Sequence, residues 1–243
     1  MLGIVQPDLI LGFLVALISG LVRGYTGFAG GLVSLPLLTL LWGPVEAIGV
    51  ATLAGLASQA QLSAATYRLT RWSEVGPLCV AALIFTPIGG VFLVNADPQL
   101  IRRLIGALVA AGALLMASGW TYGGRRGWRA SALVGVLCGG MQGMTGINGP
   151  PLIAYMLAAP DPPEVQRSNI IAAIGIMILF MFATFLLNGV IGWTTVGRAL
   201  VLFPATLAGT WTGNRLFLKI PQAIYRRVAL VLLIITGLAV LIF

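Results

Sequence analysis

The stretch Arg23-Gly-Tyr-Thr-Gly-Phe-Ala-Gly-Gly31 decides the fold, because it interrupts an otherwise apolar chain. It lies between two short apolar runs, Leu9 to Val22 and Leu32 to Trp42. A helix over the first run would be roughly 21 Å long, whereas the hydrocarbon core of a bilayer is about 30 Å thick. Four glycines and an arginine do not continue a lipid-facing helix, so the sequence predicts a break at membrane depth.

The composition places this break inside a membrane protein. Of the 243 residues, 59% are hydrophobic and 8% are charged, and the mean hydropathy is +1.02. Soluble domains carry roughly 25% charged residues, so a soluble enzyme and a disordered chain are excluded. At about 20 residues per span, the chain has room for roughly eight membrane-crossing elements. We therefore expect a single, all-α integral membrane domain over residues 1–243.

A second stretch repeats the first. When the chain is shifted by 119 positions, Arg23 to Gly31 falls on Gln142-Gly-Met-Thr-Gly-Ile-Asn-Gly-Pro150. The matched positions include a threonine, several glycines and, further on, Pro44 with Pro163. The sequence thus predicts an internal duplication, with repeat 1 at about 9–122, a basic cytoplasmic linker at about 123–129 and repeat 2 at about 130–243.

Each repeat is predicted to hold one interrupted element followed by three full spans. In repeat 2 the interrupted element has short apolar runs at Ala130–Met141 and Pro151–Ala159. The six full spans are predicted at about Val45–Thr66, Val75–Val94, Leu104–Tyr122, Ser168–Leu187, Val196–Gly213 and Ile224–Phe243.

The distribution of basic residues predicts the membrane topology. If each interrupted element crosses the membrane, the two faces carry six and seven lysines and arginines. Such an even distribution indicates no preferred orientation of the protein in the membrane. If each is a re-entrant hairpin, the faces carry ten and three, a bias that the positive-inside rule explains. We therefore predict two re-entrant hairpins and six full spans, with both termini extracytoplasmic. Three crossings per repeat make the repeats inverted, and the hairpin tips should meet near the midplane.

Inverted repeats with discontinuous helices are typical of secondary transporters, which bind substrate at the breaks. Free N–H groups at helix starts attract anions, and glycine lets an anion approach the backbone. Gln59 and Asn169 could reach the tips from neighbouring spans, although bridging between helices explains them equally well. The predicted substrate-binding residues are Arg23, Thr26, Gly27, Gly30, Gly31, Gln142, Thr145, Gly146, Asn148 and Gly149.

Arg23 is the most informative of these residues. A charged side chain at the bilayer centre costs about 2.5–3.5 kcal/mol on insertion scales, so something should offset that cost. An anionic substrate would do so. The alternatives are an arginine that snorkels to the interface or one paired with a carboxylate. The glycines have an alternative role too, since small residues let membrane helices pack closely.

The two glycine-rich stretches resemble those of the TauE/SafE family, the sulfite-exporter-like permeases. The resemblance rests on Gly24-Tyr-Thr-Gly27-Phe-Ala-Gly30-Gly31-Leu-Val-Ser-Leu-Pro36 and Gly143-Met-Thr-Gly146-Ile-Asn-Gly149-Pro150-Pro151, and the two-fold repeat extends it over the full chain. It implies outward transport of a small sulfur-containing anion, such as sulfite or an organosulfonate, across a bacterial inner membrane.

We therefore expect a secondary transporter that works by alternating access, with an anion channel or a membrane subunit of a larger complex as alternatives. The expected partners are a small inorganic or organosulfur anion and the lipid bilayer. The chain has no histidine and no nucleophile elbow, which disfavours an enzyme, a metal site and a cofactor. Its charge of +8 is dispersed between apolar runs, so nucleic-acid binding is not expected. The oligomeric state stays open.

Overall fold

The computed structural model describes residues 7–118 and 122–217, and these residues form helices joined by short loops. A single 3₁₀ turn, Tyr67–Leu69, precedes the fourth helix. The α-helices of the described residues are α1 Pro7–Thr26, α2 Gly30–Trp42, α3 Pro44–Thr66, α4 Trp72–Asn95, α5 Pro98–Ser118, α6 Trp128–Thr145, α7 Gly149–Met156, α8 Pro163–Leu187 and α9 Trp193–Phe217. The predicted span Ile224–Phe243 lies outside the described residues.

Three of the described helices are long and apolar enough to cross a membrane, namely α1, α4 and α8. The predicted spans at Val45–Thr66, Val75–Val94, Leu104–Tyr122, Ser168–Leu187 and Val196–Gly213 coincide with α3, α4, α5, α8 and α9, which begin up to six residues earlier. These early starts include the proline or tryptophan that opens each helix.

Both helix breaks are shorter than predicted. The expectation that the helix ends near Val22 is wrong, because α1 continues to Thr26 and the break is only Gly27 to Ala29. At twenty residues, α1 is roughly 30 Å long rather than a short half-span. Similarly, α6 runs through Gln142 to Thr145, and its break covers residues 146–148.

A glycine with positive φ opens each break. Gly27 has φ 86° and Gly146 has φ 71°, a backbone region that residues with a Cβ rarely adopt. The two glycines are 119 positions apart, as are the first residues of α2 and α7, Gly30 and Gly149.

Gly24 and Gly143 within the two stretches, with Gly20 and Gly139 one turn before them, hold helices in close contact. This contact explains why α1 does not end at Val22. A Cβ on Gly20 would lie 2.6 Å from the carbonyl oxygen of Thr206, and a Cβ on Gly24 would lie 2.1 Å from that of Thr210. Gly213 on α9 faces α1 in the same way. Since α1 packs along α9, its glycines lie against protein rather than lipid, and the helix is kept.

The same arrangement joins α6 to α4. A Cβ on Gly143 would lie 2.2 Å from the carbonyl oxygen of Thr86, and one on Gly139 would lie 2.8 Å from the Cα of Ala82. Thus α1 packs on α9 and α6 packs on α4, and these are the two most extensive helix pairs among the described residues. Each pair joins the first helix of one half to a helix of the other half.

Two polar clusters mark the two ends of the helical bundle. At one, which we call the Glu46 end, the Glu46 carboxylate at the start of α3 accepts hydrogen bonds from Thr195 (2.8 Å) and Arg198 (2.9 Å) on α9. The Arg198 guanidinium also lies 4.8 Å from the ring of Trp42, the last residue of α2. Trp42 in turn contacts Gly12 of α1, so α1 begins and α2 ends near this end.

The other cluster, the Glu74 end, joins the starts of α4 and α6 to the end of α7. Arg126 pairs with Glu74 at 2.7 Å and also donates to the carbonyl oxygen of Tyr155. The Tyr155 hydroxyl lies 2.8 Å from that of Ser131, one turn into α6. The start of α6 and the end of α7 therefore lie side by side.

Candidate functional site

The two helix breaks meet in the interior of the bundle. A Cβ on Gly31, at the start of α2, would lie 3.8 Å from the carbonyl oxygen of Gly146, and one on Gly146 would lie 2.9 Å from Leu35. Residues of both breaks line one cavity of about 50 Å³. Because one water needs roughly 10–15 Å³, this cavity has room for a few waters or one small ion.

Six of the predicted binding residues line this central cavity, namely Arg23, Gly30, Gly31, Gln142, Gly146 and Asn148. Thr26, Gly27 and Thr145 do not. Gly149, the tenth, is the first residue of α7. Gly30 and Gly31 at the start of α2 line the cavity, and their backbone N–H groups have no acceptor within their own helix.

Arg23 brings a positive charge to the cavity from the last turn of α1. One of its terminal nitrogens donates to the hydroxyl of Ser58 (3.2 Å) and to the carbonyl oxygen of Gly55 (3.4 Å), both near the middle of α3. No carboxylate within residues 7–118 and 122–217 forms an ion pair with it. The charge is therefore held by neutral groups and is not balanced by a nearby acid.

Glycines make the room that the Arg23 side chain occupies. A Cβ on Gly30 would lie 3.0 Å from Nε of Arg23, and one on Gly55 would lie 3.1 Å from its Nη1. The guanidinium thus fits between the start of α2 and the middle of α3. Any larger residue at either position would displace it.

Two amide side chains line the same cavity as Arg23, Gln142 from α6 and Asn148 from the second break. Gln142 is 4% exposed, yet within the described part of the chain its side-chain amide has no hydrogen-bond partner. The Asn148 amide has only the sulfur of Met177, at 3.8 Å. Buried amides normally have partners, so both groups have hydrogen-bonding capacity left for a molecule in the cavity.

The hydroxyls of Thr26 and Thr145 are already used within the protein. Thr26 donates to the carbonyl oxygen of Val22 (2.7 Å) and accepts from the N–H groups of Phe28 and Ala29. Thr145 repeats this arrangement, donating to Met141 at 2.8 Å and accepting from Ile147. These threonines cap the ends of α1 and α6.

Gln59 and Asn169 lie away from the central cavity. Gln59 donates to the carbonyl oxygen of Ile171 on α8 at 2.7 Å, and the oxygen of Asn169 accepts from the backbone N–H of Arg71 at 2.8 Å. Both side chains join neighbouring elements, the role that the sequence left open as the alternative to substrate contact.

Sequence reasoning missed the α3 side of the site. Thr52 and Gly55 line the cavity, and Ser58, which holds Arg23, follows at the same spacing. Small or polar residues at every third position place a narrow polar stripe on one face of an apolar helix. This spacing of three residues could have indicated the α3 side of the site from the sequence. The three residues lie outside the two glycine-rich stretches, on which the prediction of the site was based.

No group of three or more metal-ligating side chains occurs in the described ranges. A family model described as Sulfite exporter TauE/SafE matches residues 12–240, nearly the whole chain. No curated protein and no solved structure matches the chain. The match covers both glycine-rich stretches and the helices that position them, so the chain belongs to the TauE/SafE sulfite exporter family, whose members are transporters and not enzymes.

Proposed function

We propose that the protein exports a small inorganic or organosulfur anion, such as sulfite or an organosulfonate, across the inner membrane by alternating access, and that the central cavity is its binding site. The observation that carries this proposal is Arg23, a cation in the cavity whose partners within the described part of the chain are neutral. An anion entering the cavity would balance this charge and accept hydrogen bonds from Gln142 and Asn148 as it loses its water.

The direction of the helices supports the same site. Backbone N–H groups at the start of α2 add partial positive charge beside Arg23, whereas Pro150 and Pro151 in the first turn of α7 have no N–H to offer. One full charge, rather than two, suits a site that must release its ion as well as bind it. At the position of repeat 2 that matches Arg23, Gln142 on α6 keeps the hydrogen-bonding capacity without a second charge.

The ends of the broken helices support two hairpins that enter from opposite faces. The start of α1 and the end of α2 lie at the Glu46 end, whereas the start of α6 and the end of α7 lie at the Glu74 end. We propose that the Glu74 end is cytoplasmic, as the basic linker 123–129 indicates, and that both termini are extracytoplasmic. The two repeats would then rock around the cavity where their tips meet.

The test is anion flux into proteoliposomes of the purified protein, with sulfite, sulfate, thiosulfate and sulfoacetate compared. We expect saturable flux and counterflow for at least one of them. Arg23→Ala should lower the flux at least about tenfold, since loss of a charged hydrogen-bonding partner costs on the order of 1.5–3 kcal/mol. Arg23→Lys should retain part of the flux because it keeps the charge.

Arg215→Ala is the matched control. It removes the same charge from an exposed residue on α9 that stacks 3.8 Å from the ring of Trp211, away from the cavity. Flux should stay near that of the unaltered protein. Equal flux in Arg23→Ala and Arg215→Ala would contradict the proposed site, whereas ohmic current without counterflow would indicate a channel.

A further inference from the structure

A second, larger hollow lies on the outside of the bundle. This lateral crevice has a volume of about 270 Å³ and runs between α3 and α8 toward the Glu74 end. Its rim includes Leu179, Tyr67 and Trp72, which are 54%, 51% and 54% exposed. It therefore opens sideways, toward the surroundings of the bundle, and not into the central cavity.

Most of the wall surface of the lateral crevice is hydrocarbon. Leu56, Ala60, Ala172, Ile176 and Leu179 supply its hydrocarbon surface. Several polar groups among them bond to other protein groups. Gln59 donates to Ile171 and Ser63, Thr66 donates to Leu62, and the hydroxyl of Thr70 lies 2.7 Å from that of Ser168. The amide N–H groups of Gln59 and the hydroxyl of Thr66 are thus used, and one buried polar atom of the wall, Oε1 of Gln59, has no partner among the described residues. Because hydrocarbon makes up most of its surface, the crevice suits an acyl chain better than a polar molecule.

The mouth of the crevice carries a positive charge. Arg68 donates through Nε to the hydroxyl of Tyr67 at 3.0 Å, which holds its guanidinium beside a rim residue. The carboxylates of the neighbouring loops are paired elsewhere, Asp161 with Arg71 and Glu74 with Arg126. Arg68 itself has no acidic partner among the described residues, so an anion at the mouth would balance its charge.

We propose that the lateral crevice binds an anionic phospholipid, with one acyl chain between α3 and α8 and the phosphate at Arg68. Aromatic residues at the rim, Tyr67 and Trp72, belong to the headgroup level of a bilayer, and basic residues there attract anionic lipids. The crevice shares its helix with the transport site, since Leu56 follows Gly55 directly and Gln59 follows Ser58. A bound lipid would therefore stiffen the turns of α3 that hold Arg23.

Photo-crosslinking of the reconstituted full chain tests the proposal independently of transport. The probes are phosphatidylglycerol and phosphatidylcholine that carry a photoactivatable acyl chain, each added in trace amounts, and mass spectrometry maps the labelled peptides. We expect phosphatidylglycerol to label residues 56–60 and 172–179 severalfold more than phosphatidylcholine. Arg68→Gln should remove this preference, and Ala172→Trp, which fills the crevice, should lower labelling by both probes.

Arg129→Gln is the matched control, because Arg129 is another exposed arginine at the Glu74 end that contacts a tryptophan, at 5.4 Å. Labelling should not change in this variant. Equal labelling by the two lipids, or labelling that Arg68→Gln leaves unaltered, would overturn the proposal and indicate ordinary lipid around the bundle. Since Arg68 is exposed, its substitution does not threaten folding.

Discussion

At the scale of single residues, the position of Arg23 depends on the absence of a side chain at Gly55. In Gly55→Ala the new methyl group would lie 3.1 Å from Nη1 of Arg23, so the flexible guanidinium must move by a few tenths of an ångström. We expect the KM for the transported anion to rise about three- to tenfold, equivalent to roughly 0.6–1.4 kcal/mol, with the protein still folded. Flux kinetics in proteoliposomes measure this, and thermal unfolding checks the fold.

Gly197→Ala on α9 is the control for this effect, since a Cβ there would have no neighbour within 4 Å. Its KM should match that of the unaltered protein. If both variants showed the same KM, the placement of Arg23 would not depend on the space at Gly55.

Sequence reasoning found Arg23 and Gln142 because charge and polarity are conspicuous in an apolar chain. It could not separate the threonines from the binding residues, because a hydroxyl that caps a helix and one that faces a ligand look alike in sequence. Thr26 and Thr145 have their hydrogen bonds inside the protein. The spacing of the polar stripe on α3 could be seen in the sequence. The sequence did not indicate that this face of α3 lies against Arg23.

At the scale of helices, alanine substitutions at Gly143 and Gly140 distinguish the effect of helix packing on stability from the effect of helix propensity. Both lie on α6, and a Cβ on Gly143 would lie 2.2 Å from a backbone oxygen of α4, whereas one on Gly140 would have no neighbour within 4 Å. Gly143→Ala must push α6 and α4 apart, which should destabilise the protein by about 1–3 kcal/mol. Gly140→Ala should be neutral or slightly stabilising, because alanine favours helix.

Thermal or denaturant unfolding in detergent would compare these two variants. A loss of stability of the same size in both would mean that the contact between α4 and α6 is not tight at Gly143. Gly24→Ala on α1, where the Cβ would lie 2.1 Å from a backbone oxygen of α9, should behave like Gly143→Ala.

The order of the helices was predictable from sequence, whereas the lengths of the breaks were not. Apolar run lengths and the repeat placed every described helix in the right order. The glycines misled the prediction about where α1 and α6 end, because a glycine that permits a turn and one that permits close packing are the same residue. Gly27 and Gly146 turn the chain, and Gly24 and Gly143 pack against a neighbouring helix.

At the scale of the whole molecule, the proposed topology places Arg125 in the cytoplasm and Asp97 outside. Cysteine introduced at Asp97 should react with a membrane-impermeant maleimide in intact cells. Cysteine introduced at Arg125 should react only after the membrane is opened, because the Glu74 end faces inward. The native Cys79 and Cys138 are buried and should stay unlabelled.

Labelling of both introduced cysteines from the same side would contradict the six spans and two hairpins. Labelling with the sides exchanged would keep the architecture and reverse its orientation. The charge bias and the family were readable from sequence, but the sideways crevice was not, since it arises only where α3 and α8 come together.

The pairing of α1 with α9 has a consequence for how the chain is made. During synthesis, α1 leaves the ribosome long before the helix whose backbone it contacts, so its glycine face and Arg23 meet lipid or the insertion machinery first. The same holds for α4, which is also made before its packing partner, α6. Neither half can therefore complete its packing alone, and a truncated chain should be recognised by quality-control proteases as an unpaired membrane segment. We therefore expect the final packing of α1 to follow the insertion of α9.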